Sequence, residues 1–159
     1  MTLRIPPQTF HRWADAERLT KLLHDYFLVA ERCTVGLARI HWQGGRPRFV
    51  TLWPHVTLLA MGEPTYDLAD ARRAIDVPVV GGLLVDPGSA ARLSIVLERG
   101  AQSVYASVEL VDYQARFWRV SVLRWLYGHT QALVHAWVGR RYLRYLYQEC
   151  LRGGLDVPD

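Results

Sequence analysis

From residue 91 to residue 113 the chain alternates apolar and polar side chains with hardly a fault. Leu93, Ile95 and Leu97 share one parity, and Val104, Ala106 and Val108 share one parity beyond the intervening Gly100-Ala101. Successive side chains of a strand point to opposite faces, so the run makes sense as two strands with one dry face. With Gly100-Ala101 at the centre of a two-residue turn, Leu97 falls opposite Val104, Ile95 opposite Ala106 and Leu93 opposite Val108. The other face then pairs Arg92 with Glu109 and Ser94 with Ser107. One face is apolar and the other largely polar, as a half-buried antiparallel hairpin requires.

The rest of the chain supplies partners for that hairpin. Thr9 is placed to cap a helix over residues 10–27, where Trp13, Ala16, Leu19, Leu23 and Phe27 form one apolar stripe. Residues 32–42 turn β-like and end at Gln43-Gly44-Gly45-Arg46; residues 47–61 resume extended, with Pro54 predicting a bulge, a break or an edge. Asp67 is read as the cap of a short helix through Ile75, and Pro78 as the boundary before a strand over residues 79–85. Gly81-Gly82 in that strand predicts a bulge or a close backbone approach. Asp86-Pro87-Gly88-Ser89 is a turn. Beyond Tyr113 the pattern is helical to about Arg152, with Gly128 separating a short helix over 118–126 from a long terminal one. Consecutive strands closed by helices predict an α+β fold with an antiparallel sheet.

Composition narrows the class. The 159 residues are 50% hydrophobic and 21% charged, the arithmetic of one domain over residues 1–159. Cys33 and Cys150 are too few for a disulfide scaffold or a four-cysteine zinc site. No apolar run approaches the roughly 20 residues of a membrane span, and the first residues lack a signal-peptide core; a cytoplasmic protein is the expectation. The net charge is +4, but 18 of the 19 basic residues are arginine and asparagine is absent. That skew reads as a GC-rich coding bias as readily as a taste for anions, so nucleic-acid binding does not follow from charge alone.

The terminal helix carries the most specific signal. Gly128, Ala132, His135, Gly139, Leu143, Leu146 and Cys150 follow one another at steps of three and four and share one stripe. Its first half is small. An inward glycine costs about 1 kcal/mol relative to alanine, so either a strand backbone packs closely there or space is left between helix and sheet. In the second reading Gly128, Ala132, His135, Gly139 and Leu143 line a ligand cavity, and His135 is its polar group.

The order of elements from residue 32 to residue 152 resembles the helix-grip superfamily, which includes START lipid-transfer domains and aromatase/cyclase-like proteins. The resemblance implies a curved antiparallel sheet wrapped on a long C-terminal helix, with a mostly apolar ligand cavity between them. Residues 2–5, before Pro6-Pro7, would supply that family's N-terminal strand, and Pro54 would divide one segment into two strands.

Motifs for other chemistries are missing. The six histidines include no pair at helical ligand spacing, so no metal site is expected, and no cofactor motif occurs: neither a P-loop nor a Gly-x-Gly-x-x-Gly. His135 is either an acid–base or hydrogen-bonding group of the cavity or a satisfied core histidine. Arg39, His41, Thr51, His55 and Thr57 line the same cavity or the wet face of the sheet. Glu109, otherwise a general base, is assigned to Arg92. Residues 117–152 are dense in arginine, tyrosine and tryptophan, the composition of interfaces, and the helix is apolar nearly all round, which predicts a homodimer contact. Three functions follow: a module holding or carrying a hydrophobic small molecule, which is preferred; an interaction protein docking this helix on a protein partner, a membrane surface or nucleic acid; and a cyclase- or dehydratase-type enzyme in the same cavity.

Overall fold

The structure is a computed structural model that describes residues 2–86, 88–114 and 121–152, with the side chains of 121–134 left out. Its elements are β1 (Thr2–Ile5), a 3-10 helix (Pro7–Trp13), α1 (Ala16–Cys33), β2 (Ala38–Gln43), β3 (Arg46–Thr51), β4 (Thr57–Met61), β5 (Thr65–Asp67), β6 (Arg72–Gly81), β7 (Arg92–Arg99), β8 (Val104–Val111) and α2 (Ser121–Arg152). The fold is α+β. One eight-stranded antiparallel sheet runs β1-β8-β7-β6-β4-β3-β2, with β5 paired to β6 beside β4.

Inward parity builds the core side of the sheet, while β7 is buried continuously over Leu93–Leu97, its outward Ser94 and Val96 included. Ile75, Val77 and Val79 of β6 pair with the inward residues Ile95 and Leu93 and the neighbouring Ala91 carbonyl, while Leu97 faces Ala106 and Ile5 faces Val104. These side chains join Leu19, Leu23 and Phe27 of α1 and Tyr142, Leu143 and Leu146 of α2 in one core. Both helices therefore lie on the same face of the sheet.

The β7–β8 hairpin keeps the predicted faces and moves the register by two residues. Leu97 pairs with Ala106, Ile95 with Val108 and Leu93 with Leu110. The loop spans four residues, closed by the Gly100 N–H donating to the Ser103 carbonyl at 2.8 Å. A shift of two preserves which face each side chain occupies, so Leu93 and Val108 still point to the core side. It does break the expected Arg92–Glu109 pair: Glu109 lies opposite Ser94, and Arg92 opposite Val111.

The first helix starts and ends later than its apolar stripe predicts. The Thr9 hydroxyl donates to the Pro6 carbonyl within the 3-10 helix, and α1 is capped by Asp15, whose carboxylate accepts from the Arg18 N–H at 2.9 Å. α1 then continues through buried Val29, Ala30 and Cys33, because those positions extend the same buried stripe past residue 27. The β-like reading of residues 32–37 gives way to a turn with positive φ at Val35 and Gly36. The β2–β3 hairpin turns where expected, at Gly44-Gly45, both with positive φ. The Trp53–Pro54 peptide is cis, and the break between β3 and β4 falls there.

Residues 67–75 are not a helix. Asp67 ends β5, pairing with Ala74, and its carboxylate accepts from the Ala69 N–H and from Arg72. The alternation of Ile75, Val77 and Val79 reaches back into this stretch and is satisfied by β7. Pro78 lies inside β6 rather than at its start. Its carbonyl accepts from the Gly62 N–H at 2.7 Å, and it sits where β6 changes partner from β5 to β4 along that edge. A missing N–H is tolerated at such a junction. β6 stops at Gly81, short of residue 85. Gly82 (φ +123°) makes the predicted close approach: a Cβ there would collide with the Leu58 carbonyl oxygen. The backbone of α2 is helical throughout Ser121–Arg152, so Gly128 does not divide it.

Candidate functional site: an apolar pocket between sheet and helices

A pocket of about 240 Å³ opens between the sheet and the two helices. α1 contributes Tyr26, Phe27, Ala30 and Thr34 just beyond its end; the sheet contributes Phe49, Leu59, Met61, Val79, Leu93 and Leu110; α2 contributes His135 and Val138. A second space of about 310 Å³ adjoins it and is lined by Val108, Ala136, Gly139 and Arg140. The two share Tyr26, Leu93, Leu110 and His135.

The elements explain the lining. Leu93 and Leu110 face each other across β7 and β8 with inward parity. Phe49 is held by Phe27, with ring centroids 5.5 Å apart. Tyr26 meets Tyr142 edge-on at 5.3 Å, which fixes its ring at the boundary between α1 and α2. The Thr34 hydroxyl is engaged with the carbonyls of Glu31 and Ala38.

Polar chemistry at the junction centres on His135. The residue is half-buried, and its ring meets Tyr113 at 6.0 Å in an edge-to-face arrangement. Burial holds the imidazole below its ordinary value of 6.5, so it is neutral near pH 7. A neutral imidazole has one donor and one acceptor nitrogen. Burial also pushes the Tyr26 phenol up from its ordinary value, which keeps it protonated.

Of the residues singled out by the helix stripe, His135 and Gly139 line the spaces. Leu143 is buried in the core and lines neither. Gly128 and Ala132 belong to the helical backbone of α2, and their part in a cavity lies outside the described residues. Arg39, His41 and His55 are exposed, and neither they nor Thr51 and Thr57 line these spaces. The α1 wall was missed because a helix ending at residue 27 does not reach Ala30 and Thr34; the continuing three-and-four spacing through Ala30 and Cys33 was the available signal. Leu93 was legible as inward parity, and Leu110 continues the parity of Val104, Ala106 and Val108, whereas nothing in the sequence marked Phe49 or made the three neighbours of one cavity.

Among the described residues no group of three or more His, Cys, Asp or Glu is placed to hold a metal ion, and no helix is long and apolar enough to cross a membrane. No family model matches the chain, and neither a curated protein nor a solved structure matches it.

Proposed function

We propose that this protein is a helix-grip module that holds a hydrophobic small molecule between its sheet and its terminal helix. The observation that carries the reading is an apolar space of about 240 Å³ adjoining a more polar one of about 310 Å³, the two meeting at one histidine. Both are clefts open to solvent, and an apolar concave wall with one polar group is the form that small-molecule sites take. The strand order adds support: the first strand neighbours the last, and the long terminal helix packs on β1 and β8 and against α1. The ligand is a compact apolar molecule with one polar end, since these spaces lie at the small end of ligand sites. Its body lies against Phe49, Leu59, Leu93 and Leu110, and its polar end meets the neutral His135 imidazole.

The test is binding of a neutral apolar fluorophore, N-phenyl-1-naphthylamine, alongside native mass spectrometry of the purified protein. Gly139→Leu puts a branched side chain into the larger space, and Ala30→Leu does the same for the smaller. Wild type should bind saturably, and each variant should weaken binding at least about tenfold. Overpacking costs about 1–3 kcal/mol, so both variants should still show a cooperative melt. A wild-type protein that binds nothing, or variants that bind as well as wild type, would overturn the reading.

A further inference from the structure

The most exposed large apolar side chains of the described structure stand together at one end of the sheet. Trp53 is 87% exposed, Val35 84% and Leu37 77%, with Leu52 beside them. Two loops carry these residues, 34–37 between α1 and β2 and 52–56 between β3 and β4. The loops are neighbours, because Ala38 pairs with Thr51 and the Leu52 N–H donates to the Leu37 carbonyl at 3.3 Å. Neither loop contains an acidic residue. Val35 also has φ +52°, a backbone conformation that suits glycine or asparagine and disfavours a β-branched residue. This position thus carries an apolar side chain into water at a backbone cost as well.

A cationic groove begins directly behind this tip. Arg32 is in the last turn of α1, and its carbonyl accepts from the Val35 N–H at 3.4 Å. Arg32 lines a groove of about 550 Å³ with Trp137, Arg140, Arg141 and Arg144 of α2. The Arg141 guanidinium lies 5.8 Å from the centre of the Trp137 ring. Among the described residues none of these four arginines forms an ion pair with a carboxylate. The adjacent Glu31 is engaged elsewhere, accepting the Ile40 N–H at 2.8 Å.

We propose that this end of the molecule docks on an anionic lipid surface. Trp53, Val35, Leu37 and Leu52 enter the interfacial layer, where tryptophan and aliphatic side chains are favoured. Arg32, Arg140, Arg141 and Arg144 meet the anionic headgroups, their charge complementing a surface that attracts each basic side chain. Projecting apolar loops suit a deformable lipid interface, whereas a nucleic-acid backbone offers them nothing to enter. The inference does not rest on a ligand in the pocket, although Arg140 borders both the groove and the larger space.

Co-sedimentation with phosphatidylcholine vesicles, with and without phosphatidylserine, tests it. Wild type should bind the phosphatidylserine vesicles and not the neutral ones, with binding weakened by salt. The double variant Val35→Asn/Leu37→Ser should lose at least about tenfold in affinity; asparagine fits the positive φ, so the loop keeps its fold. Arg141→Gln/Arg144→Gln, at two arginines that line the groove and not the pocket, should lose about fivefold for each arginine removed. Each of three results would overturn the proposal: no binding to phosphatidylserine vesicles, binding that survives the loop substitutions, or the same substitutions abolishing self-association or oligonucleotide binding in a protein that ignores vesicles.

Discussion

His135 shows how one side chain links the pocket to solution conditions. Burial holds its imidazole below 6.5, so in a window below 6.5 the folded protein has released this proton while the unfolded chain still binds it. The unfolded state then takes up more protons, and stability falls as pH drops through that window. Above 6.5 both states carry a neutral imidazole and the contribution is complete. Urea denaturation at pH values on either side of 6.5 should show the acid-side loss in wild type and a smaller one in His135→Gln. An unchanged slope in the variant would show that His135 contributes none of the pH dependence. This residue could be picked out in the sequence because it is the one polar member of a small-residue stripe. Its depressed basicity could not, because desolvation depends on Tyr113 and the elements packed around it.

At the level of elements, the sheet ends at β2, and the edge is guarded. The Glu31 carboxylate accepts the Ile40 N–H at 2.8 Å, and the Thr34 hydroxyl engages the Ala38 backbone. An edge N–H tied to the end of a helix cannot template pairing with another chain. Glu31→Ala should destabilise the protein by about 1–2 kcal/mol, a charged hydrogen bond at a half-exposed site, and Glu31→Gln should recover part of it. Equal urea midpoints for wild type and Glu31→Ala would show that the bond contributes nothing. The same level holds the misread elements. Residues 67–75 satisfy both a short helical spacing, through Leu68, Ala71 and Ile75, and the start of a period-two run. Local pattern cannot choose between them; pairing with β7 does. The hairpin faces were readable because parity is local, whereas the two-residue slip depended on a loop longer than the minimal turn.

Across the whole molecule the two helices are joined at Tyr142. It is fully buried, and its hydroxyl donates to the Leu22 carbonyl at 3.0 Å, across 120 residues of chain. Its ring packs on Tyr26, which lines the pocket. Tyr142→Phe should cost about 1 kcal/mol, the worth of one buried hydrogen bond, and Tyr142→Ala about 3–5 kcal/mol by leaving a cavity. Chemical denaturation of both variants separates the terms; a neutral Tyr142→Phe would mean that α2 is held by apolar contact alone. The sequence by itself determined the α+β class, the inward faces of β7 and β8, the turn at Gly44-Gly45, the break at Pro54 and the close approach at Gly82. Each of these is dictated within a few residues, by side-chain alternation or by backbone freedom. Only the tertiary structure decided where α1 begins and ends, that residues 72–81 are a strand, and that Tyr26, Phe49, Leu93 and His135 meet around one space. Those outcomes depend on which distant surfaces bury one another; a periodic pattern marks that a face is buried, but not which distant segment covers it.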